Sequence, residues 1–295
     1  MKLRIVAATA LLTLTSAAQA CINSVGTDAA GRKFHPSWPV GQDFVRELKG
    51  ATPPLFWVRT TVRDALIDPS FEHLNDLGVL LIRQGQFAAA VRHFVQVEKL
   101  YPGHHETAAN LGTALELTGH DATALRWIRI GIRRNPEEHH RSEWLHLRIL
   151  EAKLALAKDP NHLQGRSVAG IAFAPTLVPP LPTELPAGND GRPVSPWLLN
   201  WSFSYQLHER LQFVAAPDPV VANLLRDWAT LNLAGGPIET ADAVYDLAVR
   251  YGSERDALMT KRQQHIRTVL ARSKGQEAEH DHCAICAPPS PPAPQ

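Results

Sequence analysis

Between residues 71 and 138, apolar and small residues recur at the spacing of amphipathic helices, and the whole pattern returns after 34 residues. Leu77-Gly78, Leu81, Gly85, Ala90, Phe94 and Pro102 are answered by Leu111-Gly112, Leu115, Gly119, Ala124, Ile128 and Pro136. Each position has a packing reason. Gly78 and Gly112 let a second helix approach closely, Gly85 and Gly119 suit a turn, Ala90 and Ala124 fit where two helices touch, and Pro102 and Pro136 stop the second helix. Residues 71–104 and 105–138 are therefore predicted to be two tandem helical hairpins.

The hydrophobic pattern predicts further helices around this pair. Over 139–160, Ser142 offers an N-cap and Leu145, Ile149, Ala152 and Leu156 form one apolar stripe before Asp159-Pro160, which reads as a capping helix. Ser195-Pro196 and Asp218-Pro219 each give an N-cap with a first-turn proline, opening helices in the segment 195–253. Within it, Trp228-Ala229, Gly236, Ala241 and Tyr245 reproduce internal spacings of the first hairpin, so a degenerate copy is expected over about 222–253. A closing helix over 254–274 carries Leu258, Ile266, Val269 and Leu270 against a charged face. Between the helical blocks, residues 161–194 contain Pro175, Pro179, Pro180, Pro182 and Pro186, which exclude a helix. Their apolar neighbours Ile171, Phe173, Leu177, Val178 and Leu181 favour a strap packed across helices over a free linker. Residues 21–70 read as loop and short helix, with Phe44, Val45 and Leu48 marking a turn or two, and 275–295 as an unordered tail rich in His, Cys and Pro.

The residues shared by the two copies resemble the tetratricopeptide repeat (TPR) family, with Leu74 and Ala108 in place of that pattern's opening Trp and Leu81 and Leu115 in place of its Tyr. The resemblance implies an all-α, TPR-like helical-hairpin solenoid with an interrupting Pro-rich segment. It also implies protein binding on a concave face lined by the first helix of each hairpin. By repeat position that face comprises Glu72, Asn75, Val79 and Ile82 in the first copy and Glu106, Ala109, Asn110, Thr113 and Glu116 in the second. One branch of the family clamps a C-terminal carboxylate with Lys and Asn residues. Here only Asn110 matches; Asn75 and Val79 stand where Lys and Asn are needed, and His140 and Trp144 take the third-helix places, so that clamp is not implied.

The N-terminus changes the expected compartment. Lys2 and Arg4 precede an apolar run from Ile5 to Leu14, and Ala18-Gln19-Ala20 supplies a cleavage site, so residues 1–20 read as a secretory signal. No stretch is apolar for the roughly 20 residues a membrane span needs. Cys21 follows Ala17-Ala18-Gln19-Ala20, a loose likeness of a bacterial lipobox, and lipidation there is the alternative to ordinary cleavage. The protein is expected in the periplasm or anchored to the outer membrane. Without Lys2 and Arg4, 28 basic residues face 29 acidic ones, and no basic stripe suggests nucleic acid as a partner.

Candidate chemistry is sparse. His280, His282, Cys283 and Cys286 lie within seven residues and would suit zinc or copper; the competing reading is a Cys283–Cys286 disulfide, which export favours. No other cofactor is suggested. His104, His105, His139 and His140 read as solvated turn histidines. The chain lacks a Gly-x-Ser-x-Gly elbow, a phosphate-binding loop and a His-Glu-x-x-His pair, so no catalytic residues and no enzyme activity are expected. The expected function is that of an exported scaffold or adaptor of the bacterial envelope, its partner an unidentified envelope protein or peptide. The alternative is a metal-handling protein using the C-terminal His/Cys tail.

Overall fold

The computed structural model describes residues 24–48, 53–278 and 283–288; the leader, Cys21, His280 and His282 lie outside them. Among the described residues are twelve α-helices and one two-stranded ribbon of β1 (Gly26–Thr27) and β2 (Lys33–Phe34), so the fold is all-α. No helix among them is long and apolar enough to cross a membrane.

After α1 (Gly41–Leu48) and α2 (Leu55–Ile67) come two hairpins, α3 (Phe71–Arg83) with α4 (Phe87–Leu100) and α5 (His105–Leu117) with α6 (Asp121–Arg134). Every boundary of the second hairpin lies 34 residues after its counterpart. The turns explain this. Gly85 and Gly119 adopt φ of 72° and 78°, and the chain reverses as Gln86 N donates to Leu81 O and His120 N to Leu115 O, both at 2.9 Å. Gly78 sits under the ring of Phe94 and Gly112 under Ile128, with no room for a Cβ at either. Phe94, Ile128, Ala90, Ala124, Leu111 and Ala114 form a fully buried core for the pair.

The next helices differ from expectation in instructive ways. A short turn, α7 (Glu138–Arg141), precedes α8 (Glu143–Leu156). Ser142 does not cap α8: its backbone is already helical and its hydroxyl instead accepts from Gln206 Nε2 at 3.1 Å. Leu145, Ile149 and Ala152 are buried as the stripe predicts, but Leu150 faces the hairpin core with Leu147 and Leu154 beside it. The helix α8 is thus apolar on two sides and stands between two cores.

The second core gathers α1, α8, α9 (Pro196–Leu211), α10 (Pro219–Gly235), α11 (Ile238–Arg250) and α12 (Ala257–Arg272) around Trp228. The Trp228 ring meets Phe44 edge-on at 5.1 Å and stacks on Phe203 at 6.3 Å. Both predicted caps form, Ser195 accepting from Leu198 N at 3.1 Å and Asp218 from Val221 N at 2.8 Å. The expected degenerate hairpin corresponds to α10 and α11, with Ala229, Ala241 and Tyr245 buried between them. Its turn is different in kind, because Gly236 is extended (φ −125°) where Gly85 is left-handed. Gly236 is small for another reason: a Cβ there would come within 2.8 Å of Ile285.

Three segments hold the second core together from outside. The Pro-rich stretch packs as a strap: Ser167 Oγ donates to Asp227 at 2.6 Å, Val168 N to Asn223 at 2.8 Å, and Arg262 on α12 donates to the carbonyls of Ala174 and Thr176 at 3.1 and 3.0 Å. Among the large hydrophobic side chains of this stretch, Leu177 stays exposed. The N-terminal ribbon docks on the start of α11, where Glu239 accepts from Thr27 N and Oγ1 at 3.0 and 2.6 Å and Thr240 Oγ1 accepts from Gly41 N at 3.1 Å. Residues 283–286 correct the expectation of an unordered tail: Cys283 and Cys286 are joined by a disulfide, Ala284 N donates to Gly235 O at 2.9 Å, and Ile285 is completely buried. The expected turn or two at Phe44, Val45 and Leu48 is α1, whereas α2 is a further helix of 13 residues within the segment read as loop and short helix. Leu55, Phe56, Leu66 and Ile67 are exposed on it, so no inward-facing stripe marks it.

Gly78→Ala should destabilise the protein by about 1–3 kcal/mol, because overlap with the immobile Phe94 ring outweighs the gain in helix propensity. Ile285→Ala should cost about 2–5 kcal/mol. Urea denaturation of each variant beside Leu177→Ala, an exposed control, measures both; control-like behaviour of either variant would contradict the packing described.

Candidate functional site

The two hairpins place their first helices side by side, and residues one turn apart on each face the same way. Asn75, Val79 and Ile82 on α3 and Glu106, Asn110, Thr113 and Glu116 on α5 line a cleft of about 300 Å³. Asn110 Nδ2 donates to Asn75 Oδ1 at 3.1 Å across the helix pair. Two residues expected on this face are elsewhere: Glu72 is exposed outside the cleft, and Ala109 is buried where α5 crosses Gly131 of α6.

The face is roofed rather than open. The C-terminal half of α9 lies over it, adding Tyr205, Gln206, Glu209 and Arg210, and Phe213 and Val214 follow. Arg210 Nη2 donates to Glu116 at 3.0 Å and Nη1 to Gln206 Oε1 at 2.7 Å, while Phe213 packs edge-on against Phe87 at 6.2 Å. The third wall is α7 and α8, which contribute Glu138, His139, Glu143 and His146. Trp144 Nε1 donates to Ser202 Oγ at 3.0 Å, fixing α8 to α9.

Beneath the cleft lies a buried ion network. His146 Nε2 is 2.7 Å from Glu116 and its Nδ1 3.4 Å from Glu143, so both ring nitrogens face carboxylates and the doubly protonated ring suits the site. His139 Nδ1 is 2.7 Å from Glu143 Oε1, and Lys153 reaches Glu116 at 3.3 Å. Burial alone would push the Glu116 carboxyl up; Arg210, His146 and Lys153 overcome it and hold Glu116 well below the usual carboxylate range. Glu143 is held down likewise, against burial, by His139 and His146. For His146, burial and the nearby Arg210 favour the neutral ring, but hydrogen bonds to Glu116 and Glu143 prevail and raise it. Burial also opposes the charge on His139; Glu143, Glu138 and Glu209 outweigh it and raise the imidazole from 6.5 to about 9. Burial, reinforced by Glu209, Glu143 and Glu138, pushes the Tyr205 phenol above its ordinary value, so it stays protonated.

The backbone at the lip is strained. His139, His140 and Arg141 have φ of 48°, 55° and 67°, three successive non-glycine residues in the left-handed region. Such residues cost about 1–3 kcal/mol each and persist only where surroundings enforce them. Here His139 stacks on Tyr205 at 5.1 Å, His140 meets Trp201 edge-on at 5.4 Å, and Arg141 pairs with Asp190 at 2.7 Å. The expectation of solvated turn histidines therefore fails for His139, which this backbone turns inward to Glu143. His105 pairs with Glu138 across the cleft mouth, and His104 stacks on Phe71.

Sequence reasoning found the hairpin side of the cleft and missed the rest: Glu138, His139, Glu143, His146, Tyr205, Gln206, Glu209 and Arg210. A signal existed in Glu143 and His146, ionisable residues three apart on α8, and in Gln206 and Arg210, four apart and so on one face of α9. At the tail, the disulfide takes both sulfurs of the expected metal set, and the histidines of that set lie outside the described residues. Compared with known proteins, the chain matches no family model, and no curated protein matches it significantly.

Because the His139 pKa is raised from 6.5 to about 9, its ion pairing contributes stability in full below pH 6.5 and loses it as pH climbs through about 9. The urea midpoint should fall across that window, and His139→Gln should flatten the fall. An identical pH slope in the variant would place the titrating group elsewhere.

Proposed function

We propose that this protein is an exported interaction protein of the bacterial envelope, built on tetratricopeptide-type hairpins, that binds a segment of a partner protein in the cleft between α3, α5 and α9. One observation carries the reading. Seven of the nine inner-face positions chosen from the repeat register lie around a single cleft, together with polar side chains from α7, α8 and α9. Convergence of apolar and polar groups in one concavity is the usual mark of a binding site. The equal helix boundaries of the two hairpins and the left-handed glycine in each turn support the repeat assignment. A roofed cleft of this size favours a short segment of the partner over a long helix laid along an open groove. Periplasmic or lipid-anchored placement follows from the leader and Cys21 and belongs to the same proposal. The metal-handling alternative gains no support from a tail whose two cysteines form a disulfide.

Thr113→Trp should fill the cleft without touching either core. Affinity capture from an envelope extract should enrich a partner on the native protein and lose at least tenfold of it on the variant, with unchanged circular dichroism and thermal midpoint. Equal enrichment on both would move the binding surface away from the cleft.

A further inference from the structure

We infer that the cleft receives the cationic side chain of a lysine or arginine in the bound segment, next to an apolar residue. This rests on the proposed function and names the chemistry of the occupant.

The cleft is polarised along its length. At the end formed by the first turns of α5 and α8 it presents Glu106, Glu138 and Glu143; at the other, where α3 and α5 finish, it presents Ile82, Leu117, Phe213 and Val214 beside Arg83 and the Glu116–Arg210 pair. Glu209 lies on α9 one turn before Phe213, and it has no ion-pair partner among the described residues. The cations nearby are already engaged. Arg210 is held by Glu116 and Gln206, His139 and His146 by Glu143 and Glu116, and Lys153 by Glu116 and Asp121. Arg83 lies over the ring of Trp57, 5.9 Å from its centre.

Acceptors are left over on two walls. Glu143 Oε2 and Glu106 Oε2 are buried atoms of cleft-lining residues that make no short hydrogen bond: the nearest donors are the imidazoles of His146 at 3.4 Å and His104 at 3.9 Å, and the Glu143 side chain as a whole is only 2% exposed. A buried carboxylate oxygen without a donor is costly, and a charged donor is what relieves it most. One buried donor is also unsatisfied, Arg210 Nε, which an occupant's backbone carbonyl would match. A carboxylate-bearing occupant would instead face Glu106, Glu138, Glu143 and Glu209 together. The volume, about 300 Å³, lies at the small end for ligand clefts and suits one long side chain with a neighbour.

The test uses defined probes on the full chain: N-acetyl-leucyl-arginine amide and its lysine counterpart, against the citrulline peptide, which keeps the shape of arginine without its charge. In NMR or calorimetric titration the arginine and lysine peptides should bind at least tenfold more tightly than the citrulline one. Their affinity should fall with added salt, as expected for partly exposed charge pairs. Glu209→Gln and Glu106→Gln should each weaken the arginine peptide severalfold and leave the citrulline peptide unchanged. Equal affinity for arginine and citrulline, or indifference of the arginine peptide to both substitutions, would overturn the inference, and the ligand-side comparison needs no variant to fold. The wider reading fails separately. If the envelope partner is lost on Thr113→Trp but retained on Glu209→Gln and Glu106→Gln, binding in the cleft stands and the cationic occupant falls.

Discussion

The seating of α9 over the hairpins depends on one buried contact, the pairing of Arg210 with Glu116, while Leu199, Phe203 and Leu207 anchor the rest of the helix in the core around Trp228. Neither group can be left alone in the interior, since an unpaired buried charge costs several kcal/mol. Glu116 lies in the last turn of α5 in the second hairpin, and Arg210 in the last turn of α9, 94 residues later. Joining them forces α9 across the inner face of the hairpins, and His146 and Glu143 then fix the angle of α8 between the two. A well-packed apolar substitute could equal the network in stability. It would not specify one seat for α9 in the same way, because a guanidinium held by Glu116 and Gln206 tolerates little sliding.

The helix α8 is where the two halves of the molecule share material. Leu150 belongs to the hairpin core, while Leu145 and Ile149 belong to the core around Trp228. Arg148 and Glu151 take its solvent side, while Glu143 and His146 are buried between the two cores. Ionisable groups so placed either find partners inside or destabilise the packing around them. The ion network answers that constraint, and the cleft is the space left above it.

Local signals were legible in the sequence and distant pairings were not. The turns at Gly85 and Gly119 and the caps at Ser195 and Asp218 are set by residues a few positions apart, and the close approaches at Gly78 and Gly112 by partners within the same hairpin; each formed as read. The hairpin wall of the cleft was legible for the same reason, through the repeat register. Its roof was not, because nothing local to α9 says that Arg210 will meet Glu116. The helix α2 escaped notice because its large apolar residues point outward, and the second apolar side of α8 because one stripe sufficed to predict a helix. Ser142 resembled a cap in sequence, but the left-handed turn before it delivered helical backbone where a cap needs extended backbone. Ile285 carried no sign of burial in a segment read from its Pro, His and Cys content.

The seating of Ile285 has a consequence for the order in which the chain can mature. The hairpins over 71–134 are made mostly of contacts close in sequence, the kind that form fastest. The core around Trp228 also needs Phe44 from early in the chain and Ile285 from far along it. That half is complete only with residue 285 in place, so its contacts span far more of the chain than those of the hairpins. The cleft inherits this dependence, because its roof is carried by α9, a helix of the later core, and the hairpins by themselves supply one wall.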